Sequence, residues 1–244
     1  MKSIRQMVSD CRPDVVHAHG TFAGVAVRLA LRLMRNPPPV VYCSHGWAFD
    51  REGAAWKNNV IALIEKMLAP FANKIICISE HDQRSALSRG FSKNKLVVVL
   101  NGIRDIPSAR TDSVSWPEGK HRILFAGRFD RQKGVDIFID AMQKLGDDYF
   151  AYAIGASSVG DTTLPTVLPH NVKLTGWLSR TQVQEHLATA EIFVMPSRWE
   201  GFGLSALEAM RAGLTVIASK VGGLPELIED QVTGLLIEPN SVDA

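Results

Sequence analysis

The sequence predicts an α/β fold in which parallel strands alternate with covering helices, arranged as two domains. Short runs rich in β-branched residues recur at residues 14–19, 40–45, 74–79, 95–101, 122–127, 151–155, 172–176, 192–197 and 215–219. Most are continuously apolar, the pattern of parallel strands covered on both faces. Between them lie segments with helical spacing. The clearest is 133–145, where Val135, Phe138, Ile139, Met142 and Leu145 share one stripe. Residues 104–120 break the alternation, because Pro107, Ser108, Thr111, Ser113, Ser115, Pro117 and Gly119 concentrate there, a composition of loop.

About four strand–helix units precede the break and five strands follow it. With right-handed crossovers, the simplest account is two adjacent Rossmann-like domains, residues 1–103 and 121–244, joined by a linker at 104–120. A chain of 244 residues can give each domain a core.

Composition narrows the function. With 46% hydrophobic and 21% charged residues the chain is globular. A net charge of +2 is too small to imply nucleic acid as a partner. Cys11, Cys43 and Cys77 lack metal-ligand spacing and read as reduced thiols of a cytoplasmic protein. Residues 1–14 contain no apolar signal core, and no apolar stretch approaches the roughly 20 residues that span a bilayer.

Ligands of open parallel sheets gather at the carboxyl ends of strands, so the residues after each run carry the functional information. Gly127-Arg128-Phe129-Asp130-Arg131-Gln132-Lys133-Gly134 joins a buried strand to the amphipathic helix. It places Arg128 and Lys133 beside a helix N-terminus, where two cations suit a diphosphate; the alternative is a pair of solvated loop cations. The Walker A spacing is absent. In the segment 196–208, Glu200 follows a strand and Glu208 lies in the next helix. Gly201 and Gly203 strip side chains from the turn, so amides near Phe202, Gly203 and Leu204 can face a phosphate. Helical side chains lean toward the N-terminus, so Glu208 can reach back to the same mouth, where a carboxylate suits ribose hydroxyls. The bland alternative is a capping carboxylate and a solvated helix glutamate.

Together these segments resemble family 4 of the retaining glycosyltransferases, which have the GT-B fold. The matching pieces are Gly127-Arg128 with Lys133-Gly134, the glutamates Glu200 and Glu208, Gly222-Gly223-Leu-Pro-Glu226, Val232-Thr-Gly234-Leu-Leu and Asp14-Val-Val-His-Ala-His19. The resemblance covers almost the whole chain, and the paired glutamates are its most specific part. It implies that Arg128 and Lys133 bind the donor diphosphate, Glu208 the ribose and Glu200 the donor sugar, with the Phe202–Leu204 backbone lining that pocket. Gly176, Trp177 and Leu178 would lie near the nucleobase, and His45 is similar to the family's histidine that faces the donor sugar. The implied reaction moves a sugar from a nucleoside-diphosphate sugar to a glycan or lipid-linked acceptor hydroxyl with retention, needing no metal and no cofactor. Two other classes share the features: a sugar-nucleotide epimerase and a non-catalytic nucleotide-sugar-binding fragment. A phosphorylase would need a pyridoxal-phosphate lysine site, which no segment resembles.

The chain departs from the family in three places. The usual opening strand with its glycine-rich loop and the terminal helices have no counterpart, which implies truncation at both ends and an incomplete N-terminal domain. Ser157 and Ser158 follow Gly155 where a second glycine is common. Finally, Arg28, Arg32 and Arg35 recur at helical spacing among apolar residues, a stripe that either docks on anionic lipid at the inner face of the plasma membrane or is a solvated helix face.

Overall fold

The computed structural model describes residues 3–104, 114–157, 164–165 and 167–243. Pro107, Ser108, Thr111, Ser113 and Ser158, singled out above, lie outside that set. The chain divides into two compact units, residues 1–101 and 102–244. Each of the nine expected runs overlaps a strand.

In the first unit the order is α1 (Ile4–Cys11), β1 (Val16–His19), α2 (Thr21–Arg32), β2 (Val40–Cys43), α3 (Ala55–Leu68), β3 (Lys74–Cys77), α4 (Glu80–Ser88) and β4 (Leu96–Val98). Ser3 and Ser79 cap α1 and α4 by accepting from the amides of Gln6 and Asp82. The sheet is wholly parallel with spatial order β1-β2-β3-β4. Successive right-handed crossovers in one direction put α2, α3 and α4 on the same face. Ala18, Tyr42, Ile75 and Leu96 point into that core with Trp47, Phe49 and Phe91. On the opposite face His17, His19 and Val97 are exposed while Val41 and Ile76 are half-buried. The expectation of strands covered on both faces therefore fails here: among the described residues this sheet has one dry face.

The second unit comprises β5 (His121–Ala126), α5 (Val135–Leu145), β6 (Tyr149–Ile154), β7 (Val172–Gly176), α6 (Arg180–Thr189), β8 (Ile192–Met195), α7 (Leu204–Arg211), β9 (Thr215–Ser219), α8 (Leu224–Leu227) and β10 (Leu235–Ile237). Its six parallel strands lie in the order β10-β9-β8-β5-β6-β7. Both faces are dry: Leu124 packs with Phe193, Met195 and Val216, while Ile123 and Phe125 pack with Phe138, Ile139 and Met142. β10, pairing with β9, was not among the expected runs. Part of the expected linker also belongs to this unit. Trp116 packs edge-on against Tyr152 and donates to Thr189, and the Tyr152 hydroxyl donates to the Ser115 carbonyl.

The basic stripe on α2 does not form. Arg28 is fully buried, donating to Glu65 of α3 at 2.6 Å and to the Gly24 carbonyl, with its guanidinium 4.1 Å from the centre of the Tyr42 ring. The Tyr42 hydroxyl donates to the other oxygen of Glu65. Burial, and then the Glu65 charge, push its ionisation far up, so the phenol stays protonated. Arg35 lies beyond the end of α2. Removing one partner of such a pair leaves a buried unpaired charge. Glu65→Ala is expected to lose about 3–5 kcal/mol of stability in urea unfolding, with Glu65→Gln losing less because its amide can still accept from Arg28.

Candidate functional site

In the second unit the chain leaves β5 toward β6 and β7, then returns to place β8 on the other side of β5. The loops after β5 and β8 therefore diverge, opening a crevice where parallel sheets bind ligands. Both loops are the segments selected from sequence.

They are held together by named contacts. Lys133 of the first loop donates from Nζ to Glu200 Oε2 of the second at 2.5 Å, with side chains 18% and 12% exposed. Gln132 donates to the Trp199 carbonyl, and the Arg198 amide donates to the Gln132 carbonyl. Gly134 has φ +67°, and a Cβ there would lie 2.1 Å from the Pro196 oxygen. Gly222, in the loop after β9, has φ +56° and would put a Cβ 1.6 Å from the Glu200 oxygen. Backbone thus presses on backbone on both sides of Glu200.

Arg128 lies at the same loop but is half-exposed, its guanidinium donating to Gln132 at 2.8 Å and pairing with Asp130 at 3.1 Å. Gly127 begins the loop, donating to the Ile154 carbonyl, with the Lys133 stem 3.4 Å from where a Cβ would stand.

Two helix N-termini adjoin these loops. At α5 Gly134 occupies the cap in the left-handed region and no side chain caps the first turn, while Asp136 puts a carboxylate inside that turn. Arg198 grips Asp136 with two bonds of 2.9 and 2.7 Å. Burial raises the Asp136 carboxyl, but the Arg198 bonds outweigh this and hold it below the usual carboxylate range. At α7 no side chain caps the first turn, which holds no acid, and Gly203 occupies the cap at φ +99°. The α7 terminus, beginning at Leu204 beside buried Phe202, carries no such acid, so its amides can meet an anion. The Gly201 amide is engaged by Glu200 Oε1 at 3.2 Å.

Glu208 is half-buried on α7, and among the described residues its carboxylate has no partner. Gly176 ends β7 and accepts from the Gly155 amide, which links the ends of β6 and β7. Trp177 is exposed and Leu178 packs against the core below it. The structure therefore brings Gly127, Arg128, Lys133, Glu200 and Gly201 into one bonded network, with Phe202, Gly203, Leu204 and Glu208 on the adjoining turn and helix. Gly176, Trp177 and Leu178 stand two strands away at the same sheet edge.

His45 belongs to the first unit and is described within it. It follows β2 in the left-handed region, φ +56°, before Gly46. Its Nε2 lies 2.7 Å from Nδ1 of His19, which ends β1. Burial, then the neighbouring His19, lower its pKa, so the ring is neutral at neutral pH. His19, Cys43 and His45 place ligand atoms within 4.8 Å of one another, a donor set chemically able to hold a borderline metal ion. Burial holds the Cys43 thiol up.

Sequence reasoning assigned no role to Asp130, Arg198, Asp136 or Gly222. Arg198 stood in the selected loop, and its partner 62 positions away carried no local signal. Ser197 Oγ, Ser219 Oγ and Trp199 Nε1, near these strand ends, are buried without hydrogen-bond partners among the described residues.

The family described as glycosyl transferases group 1 matches residues 109–244, and glycosyltransferase family 4 matches residues 1–105. An uncharacterized 41.2 kDa protein in the cps region of Klebsiella pneumoniae is 34% identical over 92% of this chain and 65% of its own length. An Escherichia coli protein named UDP-Gal:alpha-D-GlcNAc-diphosphoundecaprenol alpha-1,3-galactosyltransferase is 28% identical over 99% of this chain and 67% of itself. Among solved structures, Anabaena HepE in complex with UDP and glucose shares the fold with a TM-score of 0.82 at 23% identity, covering 98% of this chain and 68% of HepE. The chain thus spans about 65% of the length of the Klebsiella relative. Two parallel-sheet units, a bonded loop pair at the β5/β8 crevice and family matches over both units lead to one statement: the chain belongs to the group 1, family 4 glycosyltransferases.

Proposed function

We propose that the protein is a retaining glycosyltransferase that moves a sugar from a nucleoside-diphosphate sugar to an acceptor hydroxyl in polysaccharide, lipopolysaccharide or glycolipid assembly. The observation that carries this reading is the Lys133–Glu200 pair at the switch point, beside an uncapped helix terminus. A cation held by one carboxylate, next to unspent amides, is a preformed seat for a diphosphate. The E. coli relative is named for UDP-Gal and a diphosphoundecaprenol-linked sugar, and HepE is described with UDP. A UDP-hexose is the first donor to test here, with a lipid-linked glycan as acceptor and the membrane surface as the place of contact.

In this reading Lys133 and Arg128 neutralise the departing diphosphate together with the α7 amides at Phe202–Leu204. Glu208 holds the ribose, Glu200 hydrogen-bonds the sugar, and Gly176, Trp177 and Leu178 meet the base. For His45 the role is that of a neutral imidazole hydrogen-bonding the donor sugar. The bond from the anomeric carbon to the diphosphate oxygen breaks while the acceptor oxygen bonds to that carbon on the same face. The acceptor proton passes to the leaving phosphate, so no side chain acts as a nucleophile. The protein supplies position and charge, and the two cations stand where a metal would otherwise be needed.

Lys133→Ala is expected to lower kcat/KM by on the order of 10²–10³, the cost of removing one preorganised charge partner, measured by donor-dependent product formation in the complete protein. Unchanged transfer would refute the role. Glu208→Ala acts on binding: the donor Kd, measured by calorimetry, rises about tenfold with a smaller change in kcat. His45→Ala lowers kcat while leaving UDP affinity intact, and a loss of UDP affinity instead would remove His45 from the sugar end. Transfer should survive excess chelator.

A further inference from the structure

We propose that His19, Cys43 and His45 form a binding site for a borderline divalent metal ion of the zinc class, placed where the ion takes His45 out of use. Strand register lays the site down. β1 and β2 pair in parallel with His19 opposite Cys43, so both side chains stand on one face of the sheet, the face away from the Tyr42 and Ile75 core. The Gly20 amide donates to the Cys43 carbonyl at 2.9 Å and ties the two strand ends together. His45 comes two residues after Cys43. Its backbone is left-handed at φ +56° and Gly46 follows at φ +92°, a turn that leaves its Nε2 2.7 Å from His19 Nδ1. The three ligand atoms all lie within 4.8 Å of one another. An imidazole hydrogen bond alone accounts for the two histidines; the cysteine sulfur held beside both rings makes the group a chelate.

Donor chemistry decides the ion. Two imidazole nitrogens and a thiolate, with no carboxylate in the group, favour zinc, cobalt, nickel or copper over magnesium, calcium or manganese, which prefer oxygen. Tetrahedral zinc holds nitrogen and sulfur ligands roughly 3.5 Å apart, so closing round an ion asks for side-chain shifts on the order of 1 Å. The ion replaces the N–H···N bond between the rings, one of which moves its proton to its outer nitrogen. It also replaces the Cys43 S–H bond, whose proton leaves to solvent. Three protein ligands leave the fourth position to water. His19 and His45 are exposed and line a cavity of about 940 Å³ with Gly20, Thr21 and Ser44, which gives the ion a way in.

An ion seated here occupies the imidazole that the transferase reading assigns to the donor sugar, and so inhibits transfer. That consequence rests on the function proposed above, whereas the binding does not.

The test titrates the metal-free 244-residue chain with Co²⁺, followed by absorption, and with Zn²⁺, followed by calorimetry. One ion per chain is expected, with a cobalt–thiolate band in the near ultraviolet and a zinc Kd on the order of 1 μM. Excess Mg²⁺ should leave both unchanged. Cys43→Ser is expected to abolish the band. His19→Ala should weaken zinc binding on the order of 100-fold, with the metal-free unfolding midpoint unchanged because that ring is exposed. Zinc should raise the unfolding midpoint of the parent chain and not that of His19→Ala. The proposal is overturned if no ion binds, if the cobalt spectrum lacks the thiolate band, or if Mg²⁺ displaces zinc. Binding undiminished in both variants would show an adventitious ion only, and overturns it too. In the complete protein, zinc that binds through Cys43 without lowering transfer overturns the inhibition and leaves the metal site standing. A protein that binds zinc this way yet transfers no sugar even with chelator removes the transferase reading alone.

Discussion

A parallel sheet that reverses its strand order must leave a gap where the two directions part, and the second unit is organised around that gap. β5 is the first strand of its sheet in sequence and sits inside it in space, with β6 on one side and β8 on the other. The two loops that leave β5 and β8 have no helix between them. They are joined by side chains and by backbone instead: Lys133 to Glu200, Gln132 to Trp199, Arg198 to Asp136. The site is the solution to a topological vacancy, and its charged residues have structural partners before any ligand arrives. Lys133 and Arg128 are therefore not bare charges, since each already faces a carboxylate.

Much of this was legible from residue order. Strands buried on both faces announce themselves as apolar runs, which is why β5, β6, β8 and β9 were found close to their ends. β10 has three residues, too short for a run to stand out from the turn before it. The first sheet misled in one respect. Its strands are as apolar as those of the second, yet His17, His19 and Val97 lie exposed on one face of the sheet. Apolar composition reports what a strand can tolerate, and coverage depends on where later elements pack.

The arginine stripe shows the same boundary. A helical wheel puts Arg28, Arg32 and Arg35 together, but Arg28 is drawn inward by a glutamate in α3, 37 positions away, and Arg35 lies past the helix end. Glu65, at helical spacing with the apolar Ala62 and Leu68, was the available clue, since a buried acid demands a cation. At the α5 terminus, Asp136 sits one residue inside the helix and pairs with Arg198 from the loop after β8, a contact between distant positions that no local pattern announces. Lys133 and Glu200, by contrast, were found as separate signals, and only the fold could join them.

The glycines at the crevice carry a consequence for how such a site can diversify. Gly134 and Gly222 stand where any side chain would collide with a carbonyl oxygen of the opposing loop. The floor of the crevice is in this sense frozen: its backbone path leaves no room to adjust ligand choice there. Trp177, whose ring projects from the end of edge strand β7 with 64% of its surface open, is under no such restriction. On the function proposed above, variation that retunes what the site accepts would accumulate at that margin while the centre stays fixed, so a change of ligand can evolve without repacking the core.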